Sequence, residues 1–336
     1  MNTHRLWVAL VAVSAGASAA SAWDADGHRM ICRAALETAA KQIGPEAPTW
    51  LTGPDSRAMI SDQAVVPDRW RGTRVAQLTH LNNPDHYLDI EDLADFGLSL
   101  KSLPALRHEY VRQLSVAREA PGFKGKPMGG KLDPELVQGY PGFLPHAAME
   151  TWAKAVSSLK TVRVIEKLSD PSRDAQLDMA RASARYNLGI LAHYIGDASQ
   201  PLHTTRHHHG WEGPNPNGYT TDRGIHSYID GGVIRLHRIT IDDVRAAVKP
   251  RTPDPVSPWN DVTAELERSF AQVEPLYALK KSGDLDREPG RQFIIERLAD
   301  GAATLASLYT AAWQASEVGP RDIEDFVKYD GSAENR

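Results

Sequence analysis

The sequence predicts an all-α protein, because apolar residues recur at helical spacing and the long connections carry turn-forming residues. Val262, Leu266, Phe270 and Val273, for example, fall near one face of a helix. The connections are rich in Gly, Pro and Asn, which favour turns and loops. No internal repeat and no strong linker divides the chain, so we expect one mainly helical domain over residues 23–336.

The same spacing predicts the individual helices. They cover about 27–43, 102–118, 145–168, 174–199, 259–281 and 289–316, with a shorter helix in TIDDVRAAV. Pro67 and Asp68 are typical of a helix start. Residues 86–89 are predicted to be extended, which places Tyr87 and Asp89 on the same side. The segment VIRLHRIT is also predicted to be extended.

Residues 1–22 are predicted to form a cleavable secretory signal peptide. MNTHR is basic, LWVALVAVSAGA is apolar but short for a bilayer, and Ala20-Ser21-Ala22 has the small-x-small pattern of a cleavage site. A lone membrane anchor is the alternative. Cleavage would leave Trp23 as the new N-terminus, in the periplasm or outside the cell. The single cysteine, Cys32, permits no intrachain disulfide, and we expect it in the core.

The composition excludes some classes of function. The chain has 336 residues and a formal net charge of −5, so no overall basic field would recruit nucleic acid or anionic membranes. This argues against a tight, non-catalytic DNA-binding protein. It does not argue against an enzyme whose bound metals supply local positive charge.

Two His-x-x-x-Asp pairs indicate a metal site. His193 and Asp197 lie in an apolar, helix-like run, on one face and one turn apart. His226 and Asp230 repeat this spacing, and His203 lies between the two pairs. A single pair would more often be a buried histidine beside a surface acid. Two pairs with a third histidine favour a metal held by imidazole and carboxylate.

Further candidate ligands precede these pairs. A free α-amine at Trp23 would titrate near pH ~8, and the amine and carbonyl together can chelate a metal that His28 also binds. Asp68 is a candidate ligand whose alternative role is a simple helix cap. Arg71 lies one turn further on and is placed to point the same way as Asp68.

Three more segments are expected to border the site. In HYLD, His86 is a possible ligand, and Tyr87 and Asp89 join an aromatic platform to an acid, although a polar loop with a packed tyrosine is the alternative. Residues 117–144, rich in Gly, Pro and Lys, are predicted to be a surface loop insertion. The triplet at 207–209 is expected to line the mouth of the site, with transient metal binding as its alternative role.

The whole pattern resembles a known family, the trinuclear-zinc, single-strand-specific nucleases of fungi, plants and bacteria (the S-one/P-one type). That family is related to the bacterial zinc-dependent phospholipases C. Shared features are a Trp after signal cleavage, an early His, an Asp, His-aromatic-x-Asp, His-x3-Asp-x5-His and a final His-x3-acid. The matching positions are Trp23, His28, Asp68, His86, His193, Asp197, His203, His226 and Asp230.

The resemblance implies the fold of that superfamily, three zinc ions, and hydrolysis of phosphodiesters by a zinc-bridging hydroxide. One ion would be held by Asp68, His86, His193 and Asp197, another by Trp23, His28 and Asp197, and the third by His203, His226 and Asp230. The resemblance makes Asp68 and Arg71 the catalytic candidates, with Arg71 facing the phosphate. It implies that Tyr87 and Asp89 stack on and hydrogen-bond a base. The expected substrate is single-stranded DNA or RNA, cut internally by a monomer without a stable protein partner.

Two alternatives remain at this point. A phospholipase C acting on phosphatidylcholine-like lipids would use the same ligands, with a lipid headgroup or acyl chain against Tyr87. A non-catalytic periplasmic zinc-binding protein would bind zinc without turnover. The nucleases usually carry Asp-x-Gly-Gly-Asn where this chain reads GWEGPNPNGYTTDRG. The interval from His86 to His193 is also unusually long, and both departures bear on substrate identity.

Overall fold

Long helices dominate the computed structural model of the chain, which describes residues 23–129, 133, 136–254 and 256–331. The α-helices are α1 (Ala25–Ile43), α2 (Thr49–Thr52), α3 (Pro54–Gln63), α4 (Val66–Arg71), α5 (Ala76–Asn82), α6 (Arg107–Glu119), α7 (Leu144–Leu168), α8 (Asp174–Ser199), α9 (Ile225–Ser227), α10 (Val233–His237), α11 (Ile241–Ala247), α12 (Pro258–Phe270), α13 (Val273–Ser282), α14 (Glu288–Ala315) and α15 (Pro320–Asp330). The described residues form no β-strand, so the all-α prediction is confirmed. The predicted signal peptide lies outside the described residues.

Four helices make the centre of the fold. Helix α7 packs along α8, α1 packs along α14, and α14 also contacts α8. Small residues let these helices approach closely. A Cβ added at Gly301 of α14 would lie 2.6 Å from the hydroxyl oxygen of Ser199 at the end of α8. Because such a distance is shorter than a normal contact, this crossing requires glycine.

The end of α8 is enclosed on every side. Residues 188–199 are all buried, so this stretch lacks the polar outer face of an ordinary surface helix. Two of these buried residues, His193 and Asp197, are polar and ionisable. Groups of this kind are buried only with hydrogen-bond or metal partners. The helix ends before Pro201, where the side chain of Gln200 caps a short 3-10 turn by accepting from the amide of Leu202.

Helix α1 brings a second segment to the same place. Asp24 caps its start by accepting hydrogen bonds from the amides of Asp26 and Gly27, which satisfies donors that have no partner inside the helix. Gly44, with φ of 75°, follows its last residue. Cys32 is fully buried on α1, as the sequence predicted.

The predicted helix over 259–281 is wrong as a single element. The chain instead forms α12 and α13, which are separated at Ala271 and Gln272. Pro275 supplies the reason, because its ring has no amide hydrogen and would clash with the carbonyl of Ala271 in a continuous helix.

The prediction for VIRLHRIT is also wrong. This segment contains α10, not an extended strand. The helix is followed by Arg238, whose φ is 50°. Val233 and Ile234 are buried there, and α10 packs on α14. The β-branched side chains of Val233 and Ile234 favour a strand, which is why the sequence pattern predicted one. Packing against α14 instead stabilises a helix.

Helix α6 begins later than predicted, at Arg107, and runs to Glu119. The loop insertion therefore begins at position 120, three residues after the predicted start at 117.

No helix in the described part of the chain is both long enough and apolar enough to cross a membrane.

Candidate metal centre

Asp197 lies at the centre of the site. Its Oδ2 atom is 3.0 Å from Nδ1 of His86 and 3.4 Å from Nε2 of His193, and its Oδ1 atom is 3.4 Å from Nε2 of His28. These ligands come from α8, from the 3-10 turn Asn83–His86 and from α1. Three imidazoles from distant parts of the sequence therefore meet at one buried carboxylate.

Neighbouring groups orient two of these imidazoles. Nδ1 of His193 donates to the backbone carbonyl of Ala64 at 2.8 Å, so in the neutral ring Nε2 carries the lone pair and faces Asp197. The amide nitrogen of Asn82 lies 3.1 Å from Nε2 of His86 and fixes that ring with its Nδ1 toward the site. Partners of this kind hold metal ligands in position.

Asp68 completes the first part of the site. It lies on α4, and its Oδ1 atom is 4.0 Å from Nδ1 of His86 and 3.7 Å from Nη1 of Arg71. Ligand atoms of Asp68, His28 and His193 lie within 4.8 Å of one another, as do those of His86, His193 and Asp197. The predicted one-turn relation between Asp68 and Arg71 is therefore present in the structure.

A second group contains His203, His226 and Asp230, whose ligand atoms also lie within 4.8 Å of one another. Nδ1 of His203 donates to the carbonyl of His86 at 2.5 Å. Its Nε2 atom then faces Nε2 of His226 at 2.9 Å. Asp230 accepts a hydrogen bond from the side chain of Gln200 at 2.7 Å, and its other oxygen is 3.7 Å from Nε2 of His226.

Several buried polar atoms of the site remain without hydrogen bonds. Within the described residues, no donor satisfies Asp197 Oδ1 or Asp230 Oδ2, and neither ring nitrogen of His28 has a hydrogen-bond partner. Buried polar groups are rarely left in this state. Nitrogen and oxygen atoms that converge without partners match what a metal ion requires. These groups could therefore hold a metal ion.

Burial is the main cause of the pKa shifts here. It lowers the pKa of His203 to about 3 and holds those of His28 and His226 well below the usual value. Burial also raises the pKa of Asp197 to about 7 and that of Asp230 well above its usual range. The imidazoles of His28, His203 and His226 are thus neutral and able to donate lone pairs, whereas the carboxyl groups of Asp197 and Asp230 favour a proton or a cation nearby. His193 differs, because burial opposes its charged form but Asp197 outweighs burial and raises the pKa of this ring.

One cleft opens over both groups. It has a cavity volume of about 210 Å³ and is lined by Arg71, His86, Tyr87, Leu202, His203, His208, His209 and His226. His208 and His209 thus line the cleft, as was expected of the triplet at 207–209. His207 instead stacks on Trp211, with ring centroids 4.0 Å apart.

Tyr87 and Asp89 occupy different positions relative to this cleft. Tyr87 is extended, lines the cleft, and its ring lies 6.4 Å from that of His208 at an angle of 30°. Gly142 fits against it, because a Cβ there would lie 2.0 Å from the carbonyl oxygen of Tyr87. Asp89 is buried behind His208 and faces Lys126 of the loop insertion. Burial raises the pKa of Asp89 to about 8.

Trp23 is fully buried and begins the described chain. Its indole nitrogen donates to the hydroxyl of Ser199 at 3.0 Å. The amide of Asp24 donates to the carbonyl of Asp230 at 3.0 Å. These bonds place the backbone that follows Trp23 beside the second group of ligands.

The predicted histidines and carboxylates thus come together, and two supporting residues were missed. Gln200 holds Asp230, and Asn82 lies against His86. Gln200 precedes a proline in an ordinary helix end, and Asn82 is one of two adjacent asparagines. Neither position carries a spacing that distinguishes it from a surface amide, so no signal in the sequence would have identified them.

Comparison with known proteins does not assign the chain to a family. No protein-family model matches the chain, and no curated protein is similar enough in sequence to indicate a relative.

Proposed function

We propose that this protein is a zinc-dependent phosphodiesterase that hydrolyses nucleic acid, preferably single-stranded, like the nucleases that its motif resembles. The observation that carries this proposal is the meeting of three His/Asp groups around a cleft lined by Arg71 and Tyr87. Such a cleft combines metal ligands with a cation for a phosphate and an aromatic ring for a base.

The donor set supports zinc. It consists of imidazole and carboxylate, and the single thiol in the chain, Cys32, lies beside Tyr309 in the core. Nitrogen and oxygen ligands without thiolate are typical of many catalytic zinc sites. We propose three ions, with the Trp23 amine and carbonyl completing the ligands of His28 and Asp197. Bound zinc would lower the pKa of a coordinated water to near neutrality and so supply a nucleophile.

The side chains lining the cleft would orient the substrate. Arg71 lies next to Asp68 and faces the cleft, where its guanidinium would pair with phosphate oxygens and offset charge that develops on them. Tyr87 would stack on a base, which contributes about 1–3 kcal/mol per base in proteins that bind single strands. Bases that are already unpaired reach such a ring without the cost of opening a duplex.

Charge near the cleft favours an anionic substrate over a zwitterionic lipid headgroup. Burial is the main cause that lowers the pKa of His209 to about 4, and the charges of His208, Arg223 and Arg71 lower it further. Two arginines therefore act on the cleft of a protein whose net charge is −5. They would attract phosphates and repel the ammonium of phosphocholine.

The test uses protein that begins at Trp23 and is loaded with zinc. Its activity would be measured on single-stranded DNA, single-stranded RNA and phosphatidylcholine vesicles, each with and without a chelator. Chelator-sensitive release of nucleotides is the expected result. Phosphocholine release alone would replace the proposal with a phospholipase C, and bound zinc without turnover would replace it with a zinc-binding protein.

A further inference from the structure

A cluster of charged side chains lies beside the cleft and takes no part in the metal site. Lys126 of the loop insertion approaches Asp92 at 3.2 Å and Asp89 at 3.7 Å. Arg206 lies on the other side of the cluster, 2.6 Å from Asp92. Oδ1 of Asp89 is 3.8 Å from Nδ1 of His208, which lines the cleft. The cluster therefore lies directly behind His208, which forms part of the cleft wall.

The positively charged side chains of this cluster are partly exposed, whereas the acidic ones are buried. The side chains of Lys126 and Arg206 are 44 % and 34 % exposed, whereas those of Asp89 and Asp92 are 4 % and 8 % exposed. The buried side chains of Asp89 and Asp92 orient the two cations from below. Lys126 and Arg206 are therefore the members of these ion pairs that a ligand from solvent can contact. They lie beside Glu91, which accepts from the amide of Arg206, and near Glu212, whose charge acts on Lys126.

Lys126 keeps its charge in this environment. Burial opposes the ammonium form, but Asp89 and Asp92 outweigh burial and raise the pKa of Lys126 above its usual value. The carbonyl of Lys126 also accepts a hydrogen bond from Arg118 at 3.0 Å, which ties this part of the insertion to the end of α6. The ammonium group itself is held by Asp89 and Asp92, and Asp89 in turn lies against His208 in the cleft wall.

We propose that Lys126 and Arg206 form a phosphate-binding rim that holds the strand beyond the scissile phosphate, so that the protein favours oligonucleotides over small phosphodiesters. This inference rests on the proposed function, because it assigns the substrate class of the same cleft. A mononucleotide-sized diester would fill the metal site and Arg71 without reaching the rim. A longer strand would place a neighbouring phosphate on Lys126 and Arg206.

The experiment compares Lys126→Gln with Lys124→Gln, a matched change at an exposed lysine of the same loop. Zinc-loaded protein would be assayed on decathymidylate and on bis(p-nitrophenyl) phosphate. For Lys126→Gln, we expect kcat/KM for the decamer, relative to the small diester, to fall about three- to five-fold. The dependence of log kcat/KM on log salt should weaken by about 0.7, the slope for one phosphate contact with a single strand. Lys124→Gln should leave the ratio unchanged, and Lys126→Arg should restore it.

Binding of a fluorescent phosphorothioate decamer, followed by anisotropy over a series of salt concentrations, gives a readout that needs no turnover. Weaker binding in Lys126→Gln than in Lys124→Gln would support the rim even if neither substrate is hydrolysed, an outcome that refutes only the proposed function. Equal binding and equal ratios in the two variants would overturn the rim. An equal fall in kcat/KM on the decamer and on the small diester would also overturn the rim, because that result would mean that Lys126 supports the metal site.

Discussion

The two His-x-x-x-Asp pairs share a spacing but not a backbone. His193 and Asp197 lie in the regular, enclosed end of α8, with Nε2 and Oδ2 3.4 Å apart. His226 lies in the single turn α9, and Asp230 lies in a π-helical turn, Tyr228–Gly232, with the corresponding atoms 3.7 Å apart. Turns of this kind are frequent at functional sites. The same spacing thus brings ligands together on two different backbones.

The two half-sites also differ in their support. We call His28, His86, His193 and Asp197 the first half-site, and His203, His226 and Asp230 the second. In the first, Asp197 is approached by three imidazoles. In the second, Asp230 has one imidazole and the amide of Gln200. One carboxylate therefore connects several ligands, whereas the other belongs to a smaller and more independent group.

The largest expected effect separates the half-sites directly. Asp197→Ala should reduce hydrolysis of single-stranded DNA by more than the ~100-fold that loss of a supporting partner costs, and it should remove more zinc than Asp230→Ala. The reason is that three imidazoles share Asp197. Zinc per chain, measured by atomic spectroscopy, and kcat/KM would be compared. Equal zinc loss in the two variants would show that Asp197 and Asp230 contribute equally to zinc binding, contrary to this prediction.

The supporting amides give the next largest effect. Gln200→Ala should weaken zinc binding about 10- to 100-fold in the second half-site, because Asp230 would lose its orienting donor. Asn82→Ala should have a similar effect on the first half-site through His86. Zinc affinity would be measured by competition with a chromophoric chelator.

A double-mutant cycle supplies the control for these amides. Gln200→Ala should add nothing in an Asp230→Ala background, yet act in full in an Asn82→Ala background. Additive effects in both backgrounds would show that Gln200 acts by some route other than Asp230.

Glycines on α8 allow a smaller, steric test. A Cβ at Gly196 would lie 2.5 Å from Nδ1 of His28, and one at Gly189 would lie 2.3 Å from Cβ of Gln63. Both Gly→Ala changes should destabilise the protein by about 1–3 kcal/mol through overpacking. Only Gly196→Ala should also lower zinc content, because it displaces His28. Thermal unfolding and metal analysis would be measured together, and zinc loss in Gly189→Ala would contradict this assignment.

The smallest expected effect is the change in zinc affinity for each unit of pH. Burial raises the pKa of Asp197 to about 7, and Asp197 in turn outweighs burial and raises the pKa of His193. In metal-free protein this buried pair therefore holds at least one proton below that pH and must release it to bind zinc. Apparent affinity should therefore fall up to about ten-fold for each unit that the pH drops below 7. The pKa of His203 is lowered to about 3, so this ring should not compete with zinc until much lower pH.

Calorimetric titrations of zinc in buffers of different ionisation enthalpy would count the protons released. Proton release at pH 6 that exceeds release at pH 8 is expected for the first half-site. Affinity that is constant between these values would show that Asp197 is already ionised without metal. Asp230→Ala protein would isolate the first half-site for this measurement.

Much of the fold was predictable because long apolar periodicity constrains a helix strongly. The prediction of 174–199 matches α8, and 145–168 and 289–316 match α7 and α14 to within one residue at each end. Short elements were not predictable in this way. Helices α3, α5 and α15 were missed, and the break between α12 and α13 was overlooked despite Pro275. In short segments, local preference is weak and contacts with the rest of the chain decide the conformation.

The sequence by itself determined the all-α class, the long helices and the candidate ligands, because helical spacing and the His-x-x-x-Asp pattern are local properties. Only the tertiary structure decided which ligands meet. It brought His28 and His86 to Asp197, selected Gln200 to support Asp230 and Asn82 to support His86, and placed Lys126 beside the cleft. Apart from the contact of Asn82 with His86, four residues away, these contacts join residues far apart in the chain. Their distances follow from how α1, α8 and the loops pack. No local pattern of residues encodes such distances.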